Sequence, residues 1–201
     1  IYSSLGISGD TQATTTRGRA ESTSVYSYSG GAGGYVFSIS PSVAGITIDS
    51  ATGKVSIART TAAGIYRETI TVTDSEGATA ALLLTVTVNR ELSIETNTTY
   101  VTTIRTSRTF TAFTVDSGTG SRTFALSNTN TFASINGSGQ LILTTPETAG
   151  TFTETVTVTD SLGETATRTF NIIINSALVL AGDTSVQTTF GQAKQSNYLA
   201  T

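Results

Sequence analysis

The residues best suited to chemistry come in matched pairs: Glu68 with Glu154 and Asp74 with Asp160, each pair 86 positions apart. Two carboxylates can hydrolyse a glycoside as acid and nucleophile or base, and aspartates can ligate calcium, which takes about six to eight oxygens. Each stretch, however, contributes the same lone Glu, and repetition of that kind fits a structural role better than a catalytic pair. Glu68 is in phase with Tyr66 and Ile70, and Glu154 with Phe152 and Val156. Both glutamates are therefore expected to point inward. An unpaired buried carboxylate is costly, so each is expected near an open end, reaching solvent or guarding a sheet edge. Asp74 and Asp160 end apolar-alternating segments just before Ser75-Glu76-Gly77 and Ser161-Leu162-Gly163. There an Asp side chain accepts backbone N–H groups a few residues on. Turn capping is preferred to metal ligation, and calcium is not expected; Asp74 and Asp160 stand as the only metal candidates.

Other segments carry weaker signals. Gly30-Gly31-Ala32-Gly33-Gly34 suggests a phosphate cradle but lacks the helix that must follow one; a loop is expected. Tyr28, Gly31, Gly33 and Tyr35 are the candidate ligand-facing residues, since tyrosines beside a loop can stack on a sugar, although core or edge packing is preferred. Asn97-Thr98-Thr99 and Asn136-Gly137-Ser138 fit the glycosylation sequon,. Lys54 could form an isopeptide, but Gln140 fills its place in the second copy. There is no His and no Cys, which excludes catalytic triads built on His, thiolate nucleophiles, zinc fingers and disulfides. Net charge is −3 with 11 basic residues, and only Arg105 and Arg108 come close to a cluster. Nucleic acid, which demands a basic face, is not expected as a partner. The longest apolar run, Ala80 to Leu84, is far below the ~20 residues of a membrane helix.

The elements that must position these residues are strands. Gly64-Ile65-Tyr66-Arg67-Glu68-Thr69-Ile70-Thr71-Val72-Thr73-Asp74 matches Gly150-Thr151-Phe152-Thr153-Glu154-Thr155-Val156-Thr157-Val158-Thr159-Asp160 nearly residue for residue. Phe37 and Ile39 match Phe124 and Leu126, and Val86-Thr87-Val88-Asn89 matches Ile172-Ile173-Ile174-Asn175. The displacement changes by one residue where Asp49-Ser50-Ala51-Thr52-Gly53 faces Asn136-Gly137-Ser138-Gly139, a change that a hairpin turn tolerates. Apolar and Thr residues alternate with a period of two, no helical stripe of ten residues exists, and turn signals recur at short intervals. An all-β fold of tandem sandwiches, about 86 residues and about seven strands each, follows,. The expected domains are 1–90, 91–176 and, at 177–201, the opening strands of a third, incomplete repeat. That third repeat places Leu178, Leu180, Val186 and Phe190 at apolar positions.

The blocks Ile46-Thr47-Ile48-Asp49-Ser50-Ala51-Thr52-Gly53-Lys54-Val55, Ala63-Gly64-Ile65-Tyr66 and Thr71-Val72-Thr73-Asp74-Ser75-Glu76-Gly77 resemble bacterial immunoglobulin-like and cadherin-like repeats of large surface proteins. The resemblance implies a non-catalytic segment of a stalk or fibre at a cell or virion surface, rod-like, spacing or presenting an adhesive tip. Its partners would be neighbouring repeats of the same chain, and also adjacent subunits or a surface glycan or protein receptor. A glycan- or receptor-binding module, or an accessory sandwich of a secreted enzyme, are the alternatives. Cadherin calcium sites use Asp-rich junctions, which Asn89-Arg90-Glu91 and Asn175-Ser176-Ala177 do not supply.

Overall fold

The computed structural model describes residues 2–95, 97–127, 129–182, 187, 190–195 and 198–200. Up to Asn89 the described chain forms β1 (Gly6–Ser8), β2 (Gln12–Thr16), β3 (Glu21–Ser22), β4 (Ser27–Ser29), β5 (Val36–Ser40), β6 (Ile46–Ile48), β7 (Val55–Ile57), β8 (Gly64–Thr73) and β9 (Thr79–Asn89). They pair as a four-stranded sheet in the order β2-β9-β8-β5, a three-stranded sheet β3-β7-β6 and a two-stranded β1-β4. The series then recurs as β10 (Ser93–Glu95), β11 (Thr99–Thr103), β12 (Arg108–Ala112), β13 (Thr114–Asp116), β14 (Arg122–Leu126), β15 (Ala133–Ile135), β16 (Gln140–Leu143), β17 (Gly150–Asp160) and β18 (Thr165–Asn175). The sheets recur with it: β11-β18-β17-β14, β12-β16-β15 and β10-β13. The chain is all-β, as its alternating pattern requires; among the described residues there is no helix, and so none long and apolar enough to cross a membrane.

Alternation decides which face of each strand is buried. In β8 the inward row is Glu68, Ile70 and Val72, while Arg67 and Thr69 face out. The four-stranded sheet contributes Phe37, Ile70, Val72, Leu84 and Val86 to one core, and the three-stranded sheet contributes Ile46, Val55 and Ile57. Each such side chain contributes about 1.5–3 kcal/mol on burial. In the second copy, Tyr100 packs edge-on against Phe170 with ring centroids 5.2 Å apart, and Leu141, Leu143, Val156 and Ile172 are fully buried.

Each copy has nine strands among the described residues rather than about seven, chiefly because the first strand of the fold splits. In the first copy β1 runs antiparallel to β4, and β2 then runs parallel to β9. The switch occurs at Gly9-Asp10. A Cβ on Gly9 would lie 2.4 Å from the Tyr26 ring, so only glycine lets the chain pass there. Tyr26 is buried, its hydroxyl donates to the Asp10 carbonyl at 2.6 Å, and burial pushes its pKa up to about 12.

Past Asn175, β19 (Leu180–Gly182) pairs antiparallel with β20 (Tyr198–Ala200), as β1 does with β4 and β10 with β13. Leu178 (79% exposed), Leu180 and Phe190 lie open to solvent, as expected of two strands that cannot cover an apolar face alone. Val186 lies outside the described residues. By packing, the chain divides into two compact units: Ile1–Glu95 with Phe113–Ala125 and Thr157–Arg168, and Thr96–Ala112 with Leu126–Val156 and Thr169–Thr201.

Candidate functional site

Asp74 and Asp160 are both buried, and both sit at strand ends where the chain must turn. Asp74 Oδ1 accepts the N–H groups of Glu76 (3.0 Å) and Ala78 (2.9 Å), and its Oδ2 accepts that of Ala32 (2.8 Å). The Ala32 bond above all holds its carboxyl below the usual range, against the effect of burial. Asp160 repeats the device, with Oδ1 taking Leu162 (2.9 Å) and Glu164 (3.0 Å) and Oδ2 taking Thr119 (2.8 Å). Burial pushes the Asp160 carboxyl up, but the N–H groups of Thr119, Glu164 and Leu162 and the Thr16 hydroxyl outweigh it and hold it low. Both oxygens of each carboxylate thus serve the protein's own donors. Among the described residues no three acidic side chains converge into a metal-binding group.

Asp160 has one partner more than Asp74. The Thr16 hydroxyl at the end of β2 donates to Asp160 Oδ2 at 3.3 Å and shares a 2.7 Å hydrogen bond with the Thr119 hydroxyl. Asn89 Nδ2, at the end of the neighbouring β9, donates to Thr119 Oγ1 at 2.7 Å. Gly118 N–H donates to the Arg90 carbonyl at 3.2 Å, and an Arg19 guanidinium N–H donates to the Leu162 carbonyl. All of these residues belong to the first compact unit. The ends of β2 and β9 thereby hold the loop after β13 and the turn between β17 and β18. Sequence reasoning passed over Thr16, Thr119 and Asn89 as functional residues. A signal existed, since Asn89 recurs as Asn175 and Thr15-Thr16 as Thr102-Thr103.

The glutamates behave differently from each other. Neither reaches solvent, contrary to expectation: Glu68 is 0% and Glu154 1% exposed. Glu154 Oε1 accepts the Thr129 hydroxyl, the Asn130 N–H and the Asn130 side-chain amide, each at 2.9 Å, and Oε2 accepts the Ser127 hydroxyl. Burial raises its pKa, but Ser127, Asn130 and Thr129 outweigh that and hold it below the usual range. Neither oxygen of Glu68 has a hydrogen-bond partner, and burial pushes its pKa up. The segment after β5 differs between the copies: Ser40-Pro41-Ser42-Val43 stands where the second copy has Ser127-Asn128-Thr129-Asn130. Val43 packs on the apolar core and offers no side-chain amide.

The tyrosine–glycine loop is largely closed on itself. Tyr28 and Tyr35 stack on each other with centroids 3.8 Å apart, and the Tyr35 hydroxyl donates to the Gly30 carbonyl at 2.5 Å. Gly31, at φ 73°, is packed so closely that a Cβ would meet Asp74 and Leu5 at 3.0 Å. Gly33 has open space beside it, and Tyr28 remains 47% exposed. Lys54 lines an open groove with Glu21, Thr47 and Ser56. Asn97 is exposed, whereas the Asn136 side chain is tied into the turn between β15 and β16.

No sequence-family model matches the chain, and no curated protein matches it. Solved structures do. A three-immunoglobulin-domain fragment of titin aligns at TM-score 0.58 and 7% identity over 87% of this chain and 67% of that one. An I-band fragment of titin aligns at 0.56 and 7% over 99% and 76%, and immunoglobulin domains 1–4 of Sidekick-1 at 0.50 and 8% over 87% and 49%. A Drosophila N-cadherin fragment is matched over 50% of its own length, so the chain spans about half of several of these tandems. At such identities the likeness is one of fold alone: the chain has the architecture of tandem immunoglobulin-like β-sandwiches.

Proposed function

We propose that this chain is a non-catalytic structural repeat segment, two β-sandwiches at 1–90 and 91–176 with a third opening at 177–201, that spaces or presents an adhesive tip on an extracellular, cell or virion surface. The observation that carries the reading is the grip of Thr16 and Asn89 on Thr119 and Asp160. Strand ends at 16 and 89 hold a loop and a turn of the following stretch through side chains, with few residues between the last strand of one repeat and the first of the next. A low share of charge, 12%, and Thr-rich outer strand faces suit an exposed setting. Its partners are neighbouring repeats, and neither calcium nor nucleic acid is required. A glycan- or receptor-binding role through Tyr28 and Tyr35 has less support, because each ring already covers the other.

Residual dipolar couplings test the reading. The two copies are expected to share one alignment tensor, and Thr119→Val to split it into two. Independent tensors in the unaltered chain would overturn the spacer reading.

A further inference from the structure

The turn between β15 and β16 holds the only Asn-Gly step in the sequence, Asn136-Gly137. Asn136 Oδ1 accepts the N–H groups of Ser138 (3.0 Å) and Gln140 (2.9 Å), and its Nδ2 donates to Gln140 Oε1 (2.8 Å). The backbone closes through Gly139 N–H to the Asn136 carbonyl (2.9 Å) and Asn136 N–H to the Gln140 carbonyl (3.2 Å). The Gly137 N–H takes part in none of these bonds. Gly137 is exposed, and the place its Cβ would occupy is open.

We propose that Asn136 is a self-modifying site that deamidates within the folded protein. The Gly137 backbone nitrogen gives its proton to water and attacks Asn136 Cγ. The new C–N bond closes a five-membered ring, the Cγ–Nδ2 bond breaks, and Nδ2 leaves as ammonia with a proton taken from solvent. Water then opens the succinimide at either carbonyl, giving aspartate or isoaspartate; it is the only co-reactant. The Ser138 and Gln140 N–H groups point at the oxygen on which negative charge develops, as donors of an oxyanion hole do. Glycine leaves the attacking nitrogen unhindered.

The aspartate product fits the fold because the first copy already has one there. Asp49 Oδ1 accepts the N–H groups of Ala51 (2.9 Å) and Thr52 (2.8 Å), and those bonds hold its carboxyl below the usual range. Deamidation therefore keeps the turn and adds a negative charge beside β16. Isoaspartate instead inserts a methylene into the backbone and disturbs the Ile135–Leu141 register.

The full chain is incubated folded, and unfolded in urea, at neutral pH and ~37 °C, and mapped by peptide mass spectrometry for gains of about one dalton in ordinary water and about three in heavy-oxygen water. The gain is expected at Asn136, with the folded rate within about tenfold of the unfolded rate. Gly137→Ala, whose Cβ meets open space, is expected to slow conversion at least about tenfold with the thermal midpoint unchanged. Asn136→Asp is expected to keep the midpoint and to show no mass gain at that position in ordinary water. Conversion only in the unfolded chain, a faster gain at another asparagine, or an unslowed Gly137→Ala would each overturn the proposal.

Discussion

Glu68 and Glu154 occupy the same place in two copies of one fold, yet one carboxylate is fully partnered and the other is bare. Asp74 and Asp160 show the opposite behaviour: both copies build the same cap from backbone N–H groups. The difference lies in where the donors come from. A turn that follows an Asp supplies N–H groups whatever its side chains, so the cap survives sequence drift. Glu154 relies on Ser127, Thr129 and Asn130, and replacing Asn130 by Val43 in the other copy removes a donor that the backbone does not replace. A buried carboxylate held by side chains is therefore fragile in a way that a turn cap is not.

The strongest way to break this comparison is Glu154→Ala. It removes a buried side chain and the acceptor shared by the Ser127, Thr129 and Asn130 donors, and should cost at least about 3 kcal/mol in urea denaturation. A loss below 1 kcal/mol, by the same estimate, would mean that the hydrogen bonds around Glu154 contribute little. Glu68→Leu should act in the other direction, stabilising the first copy by about 1–3 kcal/mol, because an apolar side chain of similar size replaces an unpartnered polar one. Destabilisation there would show that Glu68 has a partner in solution.

pH sharpens the same contrast. Glu68 has a folded pKa above its unfolded value, so its contribution is fully present below the unfolded value and is lost as pH rises through the raised one,. Glu154 has a lowered folded pKa, so its contribution is present above the unfolded value and is lost as pH falls through the lowered one,. Protection from hydrogen exchange at Leu84, which pairs with Glu68, should weaken as pH rises from acid towards neutral, relative to a Glu68→Gln chain. Protection at Val156, on the strand of Glu154, should weaken as pH falls, relative to Glu154→Gln. Parallel responses in the two copies would erase the distinction.

Smaller effects test the aspartates. Thr119→Val removes the hydroxyl shared by Thr16 and Asn89 and should cost about 1–2 kcal/mol. Ala32→Thr, the reverse change at the matched position, should move stability by no more than about 0.5 kcal/mol. Smallest of all is the effect of a chelator. EDTA should leave the thermal midpoint unchanged, since the oxygens of Asp74 and Asp160 already serve backbone donors. A fall reversed by calcium would show that a metal competes for them.

Periodicity alone determined that this chain is all-β and that its architecture repeats, because a strand's inward and outward rows are written in every second residue. The Asp caps were legible for a similar reason: an Asp before a Ser-x-Gly turn meets N–H groups two to four residues away, and local geometry suffices. The one-residue change at Asp49 and Asn136 was likewise local, and it falls in the matched hairpin turns. Tertiary structure alone decided the rest. Whether Glu68 finds partners depends on a segment about 26 residues earlier in the chain, and Thr16 meets Asp160 across a separation of 144. Gly31 looked available to a ligand until Leu5 and Asp74 filled the space beside it. Hydrogen bonds between distant side chains depend on positions accurate to a few tenths of an ångström, and the alternation of residue types fixes only the face on which each one lies.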